Sequence, residues 1–244
     1  MKDAVENLYA AFAHCRIGDD FTGCDCCVSS EHSAKLSAPP LRDLTYEDLE
    51  RYSRKAISTW GNVRHFKHFL PRLFELTIEH RDDFLDLAEV FGKIQYAQFS
   101  TWPQREQHAV NCFFDEYWKH QLADSIIGAF EDSIDTVLCA ISNALPSIQR
   151  FLNAWIATRS ENAKRHLAAF ILNNDKTLLK TSRLSNAFWD TTSQPHSEVV
   201  AWLQSEAVLG YFDGAEDSIF VDDFKYAWPQ LMAIRSALAE THTQ

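Results

Sequence analysis

Four of the six cysteines, Cys15, Cys24, Cys26 and Cys27, fall within thirteen residues, with His14 and His32 close on either side. Thiolates and imidazoles at this density form the donor set of tetrahedral zinc, and Gly18 and Gly23 supply turns by which a loop can pass around an ion. The spacing is irregular. Cys24 and Cys26 form a chelating Cys-x-Cys pair, but the paired Cys-x-x-Cys knuckles of a strong zinc motif are absent. The expected ligands are Cys15, Cys24 and Cys27, with Cys26 or His32 as the fourth. A site closed by four protein ligands is structural. Cys112 and Cys139 lie in helical apolar patterns and read as small core residues.

A second group of candidates is the basic run Arg64-His65-Phe66-Lys67-His68, with Arg72 one turn on. His65 and His68 are three apart, so they share a helix face and could hold a metal or an anionic group. A basic face paired with acidic segments of the same chain is the simpler reading. Asp213, Asp217, Asp222 and Asp223 gather late in the chain as a solvated face or a docking surface. Several chemistries are missing: there is no phosphate loop, no dinucleotide-binding glycine motif, no nucleophile elbow, no His-Glu-x-x-His helix and no pair of Glu-x-x-His motifs. Any catalytic constellation has to be assembled across helices, and the expectation is of a non-enzyme.

These residues must be positioned by helices. Apolar residues recur at three and four, and only seven glycines and seven prolines punctuate 244 residues. Thr45 and Asp48 mark a helix start, with Leu49, Tyr52 and Ala56 on one face until Gly61. A helix from Asn62 carries Val63, Phe66, Leu70 and Leu73, and Pro71 is expected to kink or divide it. Further helices are expected from Asp83 to Gly92, from Pro103 to about Gln121, through Ile127, Phe130, Ile134, Val137 and Ile141, and from a Ser160 cap to Asn173 and Asn174. Trp60, Trp102, Trp155 and Trp189 read as core. The fold is expected to be all-α, with antiparallel helical pairs stacked as a degenerate HEAT-like α-solenoid and an irregular bundle as the alternative. Residues 1–44 are expected to form an N-terminal helix and cysteine-rich loop packed on an all-helical domain, 45–244.

Lysine and arginine number 23 against 34 aspartate and glutamate, a net charge of −11 spread over both halves. That balance argues against nucleic-acid binding, which needs a basic face, and favours a basic protein partner. The N-terminus places Asp3 and Glu6 where an export signal needs an apolar run, and no segment is long and apolar enough for a bilayer, so a cytoplasmic location with reduced cysteines is expected.

The segments Cys24-Asp-Cys-Cys27, Lys55-Ala-Ile-Ser-Thr-Trp-Gly61, Phe66-Lys-His-Phe-Leu-Pro-Arg-Leu-Phe-Glu-Leu76 and Phe91-Gly-Lys-Ile-Gln-Tyr96 together resemble a family of uncharacterised bacterial all-helical proteins. The resemblance covers about the first half of the chain and brings no activity with it. It implies that the cysteine segment and residues 60–76 belong to one unit. Charge and fold alone give the expectation of a protein-binding role, as an immunity or adaptor protein for a basic partner. The alternative is a zinc-dependent enzyme or a metal or redox sensor built on Cys15–Cys27.

Overall fold

Most helix starts among the described residues are set by short polar side chains that accept free backbone amides. A computed structural model describes residues 1–79, 86–125, 133–213 and 221–241. In order along the chain, the helices are α1 (Lys2–Phe12), α2 (Ser30–Ser37), α3 (Tyr46–Lys55), α4 (Val63–Glu79), α5 (Leu87–Tyr96), α6 (Gln104–Ala123), α7 (Ile134–Ala144), α8 (Gln149–Ala157), α9 (Glu161–Thr181), α10 (Gln194–Leu203), α11 (Glu206–Leu209) and α12 (Val221–Thr241). Among the described residues there is no strand, and the molecule is all-α as the periodicity predicts. The Thr45 hydroxyl accepts from the Asp48 amide, and the Asp48 carboxylate accepts from the Thr45 amide at 3.1 Å. This is the expected capping box, a contribution of about 1 kcal/mol. Ser160 caps α9 through its hydroxyl alone, which accepts from the Ala163 amide at 3.2 Å.

Four expected helix boundaries move, the first being α3, which ends at Lys55 rather than at Gly61 because Ile57 at φ 68° leaves the helical conformation. Pro71 does not divide α4, which runs unbroken from Val63 to Glu79. Its stripe of Phe66, Phe69, Leu70, Leu73 and Phe74 is fully buried, and five such side chains outweigh the roughly 3 kcal/mol that an internal proline costs. Likewise α9 passes through Asn173 and Asn174 to Thr181. Asn174 is buried, and its amide donates to the Phe170 carbonyl and to Asp135 while its carbonyl accepts from the Ser185 amide. A side chain satisfied in this way no longer competes with the helix backbone. The expected start at Asp83 and the positions of Ile127 and Phe130 lie outside the described residues. The helix found there begins after a cap by Asp86 and continues past Gly92.

The chain divides into two compact units, Met1–Tyr117 and Trp118–Gln244, within α6. In the first unit α1 packs on α4, and α3 packs on α2, α4 and α5. Its core includes the aromatic group of Phe74, Phe91, Phe113, Phe114 and Tyr117, that of Phe21, Tyr52, Trp60 and Phe69, and that of Trp102 with Phe12, Phe66 and Phe99. The second unit pairs α9 with α12 and α8 with α10 around Trp118, Trp155, Phe170 and Trp202. The four tryptophans read as core are all buried. No helix among the described residues is long and apolar enough to cross a membrane.

Candidate metal centre

The loop between α1 and α2 is held by a backbone seam. The Cys24 amide donates to the Thr59 carbonyl at 2.8 Å and the Gly61 amide to the Thr22 carbonyl at 2.9 Å. Residues 56–61 that supply this seam contain two positive-φ residues, Gly61 at 70° and Ile57 at 68°. A β-branched residue rarely adopts that conformation, so packing elsewhere holds it. The packing is visible: Trp60 stacks on Phe21, and its indole donates to the Ser33 hydroxyl at 3.0 Å, tying the seam to α2. Gly23 is needed for close approach, because a Cβ there would meet the Val28 side chain at 2.5 Å.

On this support the Cys24 carbonyl accepts from the amides of Cys27 and Val28, and the turn so formed brings three sulfurs together. Cys24 Sγ lies 2.7 Å from Cys26 Sγ and 2.7 Å from Cys27 Sγ, and the last two are 3.2 Å apart. These separations exceed the ~2.05 Å of a disulfide. They fall short of the ~3.8 Å edge that zinc–sulfur bonds of ~2.3 Å impose, so a bound ion would have to spread the trio by up to about an ångström. Thiol hydrogen bonds from Cys26 and Cys27 favour the thiolate of Cys24 and lower its pKa, whereas the same contacts push Cys26 up to about 12. A cation held by the trio would displace the remaining thiol protons. Arg51 stands beside the loop and donates to the Cys27 carbonyl at 2.5 Å. The trio could hold a metal ion, and among the described residues no fourth histidine, cysteine or carboxylate joins it.

The other two expected ligands lie elsewhere. His32 is the third residue of α2, where its Nδ1 accepts from the Ser29 amide at 3.1 Å in a capping box, and Arg51 approaches its Nε2 to 2.9 Å. Cys15 is buried and faces His14 and Glu106. Glu106 was not legible as a ligand because it lies some ninety positions away on an ordinary helix. Cys139 is core as expected, while Cys112 is only half-buried, 3.5 Å from His108 Nε2.

The basic run is committed within the chain. Arg64 pairs with Asp20 at 2.6 Å, and Arg72 with Glu75, Glu79 and the Leu44 carbonyl. His65 is buried as the partner of Asn62 at the start of α4, its Nδ1 accepting from the Asn62 amide at 3.2 Å. His68 Nδ1 lies 3.0 Å from the Cys15 carbonyl. Burial lowers the pKa of both histidines. Asp223 pairs with Arg165 at 3.0 Å; Asp213 and Asp222 are exposed, and Asp217 lies outside the described residues. Comparison with models of known protein families, with curated proteins and with solved structures finds no match.

Proposed function

We propose that this is a metal-binding protein in which Cys24, Cys26 and Cys27 take one thiophilic divalent ion, zinc foremost, and leave a coordination position for a ligand from outside the trio. The convergence of three sulfurs within 3.2 Å on a partly exposed, pinned loop carries this reading. Three thiolates around a soft or borderline ion form a stable donor set, and a position not filled by protein is where water, a small ligand or a partner's side chain exchanges. Such a site suits a sensor or a ligand-accepting centre better than a closed structural staple. The test is native mass spectrometry of the untagged chain with a thiol count before and after chelation. One zinc ion whose removal exposes the trio's thiols supports the reading. A metal-free chain with those thiols reactive after zinc addition overturns it.

A second reading is a docking protein for a basic protein partner. Its support is the charge of −11 together with Tyr226, Trp228 and Met232 exposed on α12 beside Asp222. Acidic surface speeds encounter with a basic partner, and exposed aromatics supply the buried anchors of an interface. An immunity or adaptor role in a bacterial cytoplasm belongs to this reading. Pull-downs at low and moderate salt that return no stoichiometric partner defeat it.

A further inference from the structure

Cys15, expected beside the other cysteines, instead sits in a separate cluster of three different donors. His14 Nε2 lies 3.1 Å from Glu106 Oε1 and 3.6 Å from Cys15 Sγ, and the three atoms are within 4.8 Å of one another. Ligand bonds of ~2.0–2.3 Å in a tetrahedron put nitrogen and oxygen about 3.3 Å apart and nitrogen and sulfur about 3.5 Å apart. Both separations match these edges to a few tenths of an ångström. The imidazole contact also has the wrong form for a proton relay, in which one ring nitrogen faces the thiol and the other the carboxylate. Here the same nitrogen faces both, so the three donors converge on one point.

The surroundings hold the donors in place. Glu106, in the first turn of α6, has only 2% of its side chain exposed, and Lys67 binds its Oε2 at 2.6 Å, which leaves Oε1 for another partner. Lys67 in turn lies over the Trp102 ring at 4.4 Å. On the opposite side the Cys15 amide donates to the Phe12 carbonyl at 2.9 Å, and Arg105 donates to the Ala10 carbonyl at 2.8 Å, fixing the end of α1 against the start of α6. His14 is 62% exposed and gives an ion an entry path. We propose that His14, Cys15 and Glu106 form a second divalent-metal site, of mixed nitrogen, sulfur and oxygen donors, suited to zinc-class ions and open to water at its fourth position.

The test uses cobalt(II) as the probe on the full chain carrying Cys24→Ser, Cys26→Ser and Cys27→Ser, which isolates this site. One cobalt per chain is expected, with a single thiolate-to-cobalt charge-transfer band that Cys15→Ser abolishes. His14→Ala changes an exposed side chain and leaves the fold intact by far-UV circular dichroism; it is expected to weaken cobalt at least tenfold, and in the wild-type chain to remove one cobalt ion. No cobalt bound to the folded triple variant, or a band unmoved by Cys15→Ser, overturns the second site. Neither result depends on whether the trio itself binds zinc.

Discussion

The two clusters of ligand atoms in the first unit are built in opposite ways. Cys24, Cys26 and Cys27 are neighbours in sequence, alike in chemistry and set on a partly exposed turn, and their sulfurs stand closer than a bound ion allows. His14, Cys15 and Glu106 come from two distant places and differ in chemistry; the sulfur and carboxylate are buried, and both separations from His14 Nε2 already match ligand edges. A local cluster needs only a turn, so it can stay adjustable. A cluster assembled across helices is fixed by the packing that creates it. The first is therefore expected to rearrange on binding and the second to bind with little movement.

The comparison breaks at the trio with the largest effect. Cys24→Ser with Cys27→Ser should lower the zinc affinity of that site at least a thousandfold, about 4 kcal/mol, measured by competition with a chromophoric chelator. A loss of only a few-fold places the ion elsewhere. Next in size is Lys67→Met, which leaves the buried Glu106 carboxylate without its cation and should cost about 3 kcal/mol in urea unfolding. Zinc should restore part of that loss by supplying a positive charge, and no recovery would count against the mixed-donor site.

The support under the trio comes third. Gly23→Ala forces a methyl into Val28 and should cost about 2 kcal/mol, while Gly18→Ala, which meets only an Asp20 carboxylate oxygen at 3.2 Å, should change stability by less than about 0.5 kcal/mol. Equal effects would mean that the seam does not hold the cysteine loop. The smallest change uses Asp135, a buried carboxylate of the second unit held by the neutral donors Asn174 and Trp189 rather than by a cation. Burial raises its pKa to about 6, above the ~3.9 of an unfolded chain. The folded state therefore binds its proton more tightly, and this group's contribution is fully present below pH ~4 and lost as pH rises through about 6. Asp135→Asn should flatten that slope and gain about 1 kcal/mol at pH 7, read from thermal unfolding at several pH values.

Much of the helical plan is legible because its signals are local. Thr45 and Ser160 announce their helices through caps made within three residues, and the stripe from Phe66 to Phe74 follows from spacing alone. Two of the boundaries that moved did so through distant partners: Asn174 is drawn into α9 by Asp135 and Ser185, and Pro71 is carried by the core around it. The same division runs through the ligands. Cys24, Cys26 and Cys27 are visible in sequence as a group and meet as one, whereas His32 is taken by the cap of its own helix.

The sequence by itself determined the all-α class, most helix starts and the position of a thiol-rich turn, since each depends on groups a few residues apart. Only the tertiary structure decided that Arg64 is spent on Asp20, that Arg72 reaches past the Glu75 of its own helix to the Leu44 carbonyl, and that Cys15 belongs with Glu106. The physical reason is range. Caps and apolar periodicity act over one or two turns, whereas an ion pair or a ligand set forms wherever packing brings opposite charges or donors within a few ångströms, and no spacing in the chain records which ones will meet.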